Sequence, residues 1–438
     1  MTTQMSMATP MDDVSFDYLY AMRRDPLMFF TKLARDQGDI ARFRIAGVTD
    51  DFYLLNHPDY IREVLVTQES NFTKWFAVDR VRELLGEGLF VSDGDFHLRQ
   101  RKLAQPAFHR QRIGSYAEKM TSLALRVRER WTAGATVDIA GEMNWLAMMI
   151  VAATLFGTDV EFQAGEISTA LSDILRQFER AIVPYADRED FESALSRLDS
   201  VVSGIIKQRR HNETDCGDLL SMLLLAEYSD GKKMTDRQLG DEVKTIFVAG
   251  HETSANALAW SWYLLSQNPE VEKKFHDEID QKLADRLPTA DDLPRLELTS
   301  RIFSEALRLY PPAWAVGRRA IEQCRIGDFS IAAGSIVIVS QYVTQRDARW
   351  FPDPARFDPD RWKPEARAAR PRFSYFPFSA GSRSCLGEAF AGMEGALCLA
   401  VLAQKWKLQL AQDAPVLLQP QLTLRPRNGI KMRPEARH

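Results

Sequence analysis

The chain has 438 residues, long enough to bury a large core and still enclose a cofactor. Hydrophobic residues make up 45% and charged residues 26%, which is ordinary globular usage. The formal net charge of −4 is close to neutral for this size and speaks against a nucleic-acid binder. The longest apolar run, Trp145 to Phe156, falls short of the ~18–20 residues a spanning helix needs. Met1 to Asp13 is polar and Met-rich, with no signal-peptide pattern, and reads as a flexible N-terminal segment of a cytoplasmic protein. No linker, repeat or low-complexity block divides the chain, so one domain over 1–438 is expected despite its length.

In chain order, the first alternating apolar stretch is Ile40 to Leu55, broken by Gly47, which predicts a pair of strands. After Gly94 a helical segment places His97 and Arg101 on one face, at i and i+4. A long helix is predicted from Thr235 to Gln267. Thr235 and Gln238 fit a capping box at its start, and Asn268-Pro269 ends it. Its middle, Ile246 to Gly250, is apolar or small all round and should be buried. A further helix, Ser300 to Leu309, stops at Pro311-Pro312. Cys324 to Ser340 alternates around Gly327 and Gly334 and predicts more strand. A last helix is expected from just after Cys385 to about Trp406. The sum is a mainly α protein with one small β-sheet region.

The four cysteines, Cys216, Cys324, Cys385 and Cys398, form no CxxC pair and show no zinc-like spacing. Cys385 differs from the others in context. It follows a glycine-containing loop and precedes a helix, where unpaired backbone N–H groups and the helix dipole favour an anion. Such a setting makes a thiolate available as a metal ligand. Gly381 and Gly387 let the backbone approach a flat ligand, and Arg383 is placed to meet a carboxylate. Taken alone, a cysteine here is more often a buried helix cap.

The pattern decides the matter. Phe378, Gly381, Arg383, Cys385 and Gly387 resemble the cytochrome P-450 haem-binding signature F-x-x-G-x-R-x-C-x-G at every fixed position. The resemblance implies the single-domain, mainly α fold of that family and haem b with Cys385 as axial ligand. In that family the thiolate ligand is known for pushing electron density toward the iron, which favours O–O cleavage.

Other segments fall in the family's order. Ala249 to Ser254 resembles the oxygen-activation motif [A/G]-G-x-[D/E]-T. The resemblance implies that Thr253 holds dioxygen and its protons and that Glu252 relays protons from solvent; His251 falls at a variable position and receives no role. The residues alone would read as a helix-surface acid beside a threonine able to bond back one turn. Glu305 and Arg308 resemble the E-x-x-R pair, and Asp358 to Trp362 a later element in which Asp360 and Trp362 replace Glu and Phe. Glu305, Arg308 and Arg361 are then expected to form a buried structural network behind the cysteine loop rather than a catalytic one. His97, Arg101 and Arg318 are implied as donors to the haem propionates, although His97 by itself is more often a solvated or capping histidine. Phe378, Gly381, Arg383 and Gly387 complete the cofactor-binding set.

The activity implied is insertion of one oxygen atom of O2 into an apolar small molecule, lipid, terpenoid or polyketide-like. No reductase domain follows the last motif, so electrons are expected from a separate ferredoxin or flavodoxin with its reductase. A peroxygenase or decarboxylase of the same fold tends to lose the acid–alcohol pair retained here, and a haem sensor would need neither proton relay nor electron supply. The substrate pocket is expected from 75–89, 174–185, Phe247, Ala249, 313–316 and the vicinity of Leu422.

Overall fold

The computed structural model describes residues 16–75, 77–157, 188–212, 216–228 and 231–437. The expected flexible segment at 1–13 and the expected pocket segment at 174–185 lie outside the described residues.

Helices dominate. Those that position the site are α1 (Gly94–Ala104), α2 (Ala117–Arg130), α3 (Ile139–Leu155), α4 (Arg188–Asn212), α5 (Asp236–Ser266), α6 (Glu297–Leu309) and α7 (Glu388–Ala403). Helix α5 begins at the predicted capping box. The Thr235 hydroxyl accepts from the Gln238 N–H, and the Gln238 side chain accepts from the Thr235 N–H. Its 31 residues run roughly 45 Å through the molecule. Helix α3 lies along it, and Gly250 allows the approach: a Cβ there would meet Val151 Cγ2 at 3.1 Å. Gly250 therefore serves helix packing.

The centre of α5 departs from expectation in one place. Ile246, Phe247 and Val248 are buried, but Ala249 has accessible surface, and Gly250 and Thr253 are half-buried. A strip of helix surface is thus left uncovered within an otherwise buried helix.

Helix α6 starts one turn before the predicted Ser300. The Glu278 carboxylate, from the preceding helix, accepts the N–H groups of Leu298 and Thr299 at 2.7 and 2.9 Å. This tertiary cap replaces the local one and leaves no trace in the neighbouring sequence. Helix α7 starts at Glu388 and ends at Ala403, so that Trp406 opens a strand instead of closing the helix.

The strands are more numerous than the single region expected. Strands β1 (Ile40–Phe43), β2 (Phe52–Leu55), β3 (Phe72–Lys74), β5 (Val316–Ala320) and β8 (Ile336–Val339) form one sheet in the order β1-β2-β8-β5-β3. The hairpin β6 (Cys324–Ile326) and β7 (Phe329–Ile331) lies within the predicted second stretch. Strands β4 (Val137–Asp138), β9 (Trp406–Leu410) and β12 (Lys431–Ala436) make a third sheet, and β10 (Leu418–Pro420) pairs with β11 (Leu424–Pro426). These escaped the sequence reading because they are short and carry charge or proline. In β12, Met432 and Pro434 alternate with Lys431 and Arg433, yet a proline normally argues against strand. No helix among the described residues is long and apolar enough to cross a membrane.

Candidate active site

The loop from Phe376 to Gly387 is held at both ends and in the middle. The Cys385 N–H donates to Phe378 O at 2.9 Å and closes the loop on itself. Gly381 has φ +71°, and a Cβ there would sit 2.0 Å from Leu65 O, so only glycine fits. The Ser382 N–H donates to Glu69 Oε2 at 2.7 Å. Arg383, expected to bind the cofactor, meets groups of the protein itself: Nε donates to Asp93 Oδ1 at 3.0 Å, Nη1 to Glu69 O at 3.2 Å and Nη2 to Phe72 O at 2.9 Å. Asp93 also accepts the N–H groups of Lys74 and Gly94, which makes it the N-cap of α1 and the joint between α1, β3 and the cysteine loop. The Arg101 guanidinium donates to Ser384 O at 2.6 Å.

Cys385 lies deep among protein atoms yet borders accessible space. Burial pushes its thiol up, while the Gly387 N–H and the Arg101 charge favour the thiolate.

Three cationic or potentially cationic groups lie near this loop or on the strands it braces. His97 is buried; its Nδ1 is 3.1 Å from Leu89 O, and its Nε2 makes no well-formed hydrogen bond among the described residues, although the Ser382 backbone lies near the ring. Burial and the Lys74 charge push His97 down to about 4. Arg318, on β5, is also buried, and its Nη1 donates to Gly317 O at 3.0 Å. Burial lowers it to about 10, which still leaves it charged at neutral pH. A buried guanidinium and an orphaned ring nitrogen are costly unless an anion meets them. With Arg101, which donates to Ser384, these are the residues expected to meet carboxylates of a bound ligand, and haem b bears two.

On α5, the Thr253 hydroxyl bonds back to Ala249 O at 2.7 Å, as predicted. The Glu252 carboxyl is buried and does not pair with Thr253. Its Oε1 accepts from the Thr423 hydroxyl at 2.9 Å, and its Oε2 has no partner among the described residues. Burial raises its pKa. His251, given no role, is buried with Nδ1 3.0 Å from Phe247 O.

The Glu305–Arg308 pair is fully buried, unlike most i, i+3 pairs. Arg308 Nε and Nη2 each reach Glu305 at 2.8 Å, and its remaining donors meet Gln345 O, Pro354 O and Arg356 O. Glu305 also accepts from Trp362 Nε1 and the Asp358 N–H, with Arg361 Nε at 3.4 Å. The Gln345 side chain then accepts from the Phe376 N–H, at the start of the cysteine loop. Asp360 turns away, to Arg301 and Lys363.

Of the expected pocket residues, Phe247 is instead core, stacked on Phe156 with ring centroids 5.1 Å apart. Ala249 and Leu422 are accessible, and 313–316 are half-buried. The sequence reading missed Glu69, Asp93, Gln345 and Thr423. Asp93 had a local signal, as an acid directly before a helix; the others meet their partners only across the fold.

A braced cysteine at a helix start, buried cationic side chains able to meet carboxylates, and an acid next to an alcohol on one long helix are the features expected of a haem-thiolate enzyme. Residues 18–433 match the family model described as Cytochrome P450, and the chain belongs to that family. It is 37% identical to cyclooctatin synthase of Streptomyces melanosporofaciens, over 95% of this chain and 92% of that protein. It is 37% identical to cyclooctat-9-en-7-ol 5-monooxygenase of the same organism, over 89% and 86%. Against pentalenene oxygenase of Streptomyces avermitilis the identity is 34%, over 91% and 90%. The crystal structure of the cytochrome P450DA heme domain superposes with a TM-score of 0.90 at 26% identity, covering 98% of this chain and 97% of that one. The protein is a cytochrome P450 monooxygenase with haem b and a cysteine axial ligand as its cofactor.

Proposed function

We propose that the enzyme inserts one oxygen atom of O2 into an apolar molecule of terpenoid type, using electrons from a separate ferredoxin or flavodoxin and its reductase. The substrate class rests on the relatives, whose names specify cyclooctat-9-en-7-ol and pentalenene as compounds they act on. The observation that carries the oxygenase reading is the uncovered strip of α5, where the Thr253 hydroxyl sits back-bonded beside the buried acid Glu252.

When bound, haem supplies the iron centre at which dioxygen is reduced and cleaved, under the electron push of its thiolate ligand. In this reading Cys385 provides that thiolate, and the loop braced by Gly381 and Arg383 holds it in place. Phe378 and Gly387 shape the loop surface on either side. His97, Arg101 and Arg318 hold the two propionates. Binding a carboxylate at His97 Nε2 requires a proton there, because Nδ1–H is already engaged by Leu89 O. Thr253 positions the proton that reaches the reacting oxygen, and Glu252 replaces it.

Replacing Thr253 with alanine removes the hydroxyl and leaves the helix intact. Loss of a positioned proton donor typically costs ~10²–10⁴-fold in the step it serves. Thr253→Ala is therefore expected to bind haem normally but divert reducing equivalents to peroxide. Product formed per NAD(P)H consumed is the measurement; unchanged coupling would reduce Thr253 to a helix residue.

Helix α1 supports the electron-donor reading. His97 is buried on one side, while Arg99 and Lys102 are exposed on the other. A local positive face attracts an acidic donor whatever the net charge of the molecule. Arg99→Glu and Lys102→Glu are expected to slow reduction by a ferredoxin or flavodoxin at low salt. The defect should shrink as salt screens charges over ~8–10 Å, with substrate affinity unchanged. Stopped-flow rates across a salt series check this, and wild-type rates at low ionic strength would exclude the face.

A further inference from the structure

The C-terminal hairpin carries a residue that belongs to the proton machinery although it lies 171 positions from it in sequence. Thr423 sits in the turn between β10 and β11 and is 5% exposed. Three anchors flank it. The Trp314 Nε1–H donates to Gln421 O at 2.9 Å, the Leu424 N–H to Pro312 O at 2.9 Å, and the Trp260 Nε1–H to Leu424 O at 3.2 Å. The turn is therefore fixed to α5 and to the segment after α6, and the hydroxyl has a defined place.

That hydroxyl has two neighbours on α5, one turn apart. The Asn256 amide donates to Thr423 Oγ1 at 3.1 Å, and Thr423 donates to Glu252 Oε1 at 2.9 Å. The hydroxyl thus accepts from the amide and donates its proton to the carboxyl. On the outer side, Arg425 Nη1 is 3.9 Å from the same Oε1, and its side chain is 27% exposed. The other oxygen, Oε2, is buried and without a partner among the described residues. The remaining titratable groups nearby face elsewhere: His251 is engaged with Phe247 O, and Glu394 of α7 lies beside Ser254.

We propose that Thr423 is a positioning residue for proton delivery: it holds Glu252 by one oxygen on the C-terminal hairpin, so that protons enter beside Arg425 and leave from Oε2 toward Thr253. This rests on the reading of Glu252 as the relay acid. Each proton given up at Oε2 is replaced at Oε1 by one from water beside the half-exposed Arg425 guanidinium, and a half-turn of the carboxyl about its Cγ–Cδ bond exchanges the two oxygens. Glu252 returns to its starting state, Arg425 keeps its charge, and no electron passes through either group.

The hydroxyl stabilises the ionised carboxylate, against the upward push of burial. Thr423→Val preserves shape and removes that bond. The pH limb of coupling is then expected to move upward by roughly one unit, the equivalent of about one net hydrogen bond. Thr423→Ser should restore it. Infrared difference spectra of the holoenzyme give a second readout, independent of turnover. The carboxylic C=O band that disappears in Glu252→Gln should shift in Thr423→Val and return in Thr423→Ser. Shifted band and shifted limb support the proposal. If Glu252→Gln is uncoupled but Thr423→Val keeps the wild-type band and limb, the proposal for Thr423 alone fails. If Glu252→Gln couples like wild type, the relay reading fails and takes this proposal with it.

Discussion

Replacement of Cys385 by alanine is expected to abolish the red-shifted Soret band of the ferrous carbon-monoxide complex, while alanine at Cys216, Cys324 or Cys398 leaves it intact. The other thiols are in the wrong places. Cys398 is enclosed in the core side of α7, and its thiol is pushed well up by burial. Cys324 lies on the short strand β6, half-buried and also raised by burial. Cys216 is exposed, with its N–H donating to the Ser221 hydroxyl at 3.2 Å. Cys385 combines accessible space, a braced loop and a nearby guanidinium charge. A retained thiolate-type band in Cys385→Ala would overturn the assignment.

The second large effect is expected from Arg308→Ala. The arginine is fully buried and satisfies Glu305 with two hydrogen bonds and three backbone carbonyls besides. Its loss leaves a buried carboxylate and those carbonyls without their donors. Breaking a buried pair by removing one partner typically costs ~3–5 kcal/mol, a large share of a domain's ~5–15 kcal/mol. Because Gln345 links this cluster to Phe376, the cysteine loop should loosen as well. Chemical denaturation and haem retention are the measurements. A double variant, Glu305→Leu with Arg308→Leu, should recover part of the stability by removing the unpaired charge. An Arg308→Ala protein within ~1 kcal/mol of wild type would show the network to be dispensable.

Much of this was legible in the sequence because the informative residues are local. Thr235 and Gln238 mark the start of α5, and Pro311-Pro312 mark the end of α6. The five residues around Cys385 identify the loop within a short window. What was not legible depends on distant partners. No sequence rule links Glu278 to the start of α6, or Thr423 to Glu252. Glu252 and Thr253 are adjacent in sequence, but adjacent helix residues point about 100° apart, so Glu252 meets the hairpin while Thr253 bonds back along its own helix. Phe247 was assigned to the pocket from the family resemblance, while its ring faces Phe156.

The brace around Arg383 also bears on how the enzyme is assembled. Its bonds to Asp93 and Glu69 span 290 and 314 residues, and that from Arg101 to Ser384 spans 283. Contacts of such sequence separation form late and slowly, after the local helices. On the ribosome, β3 and α1 are made long before the loop that completes them emerges. Until then Asp93 has no Arg383 to neutralise it, and the cysteine is not yet made. Haem capture is accordingly expected to be among the last events of biogenesis, so that cofactor supply during expression should limit the yield of holoenzyme more than the yield of chain.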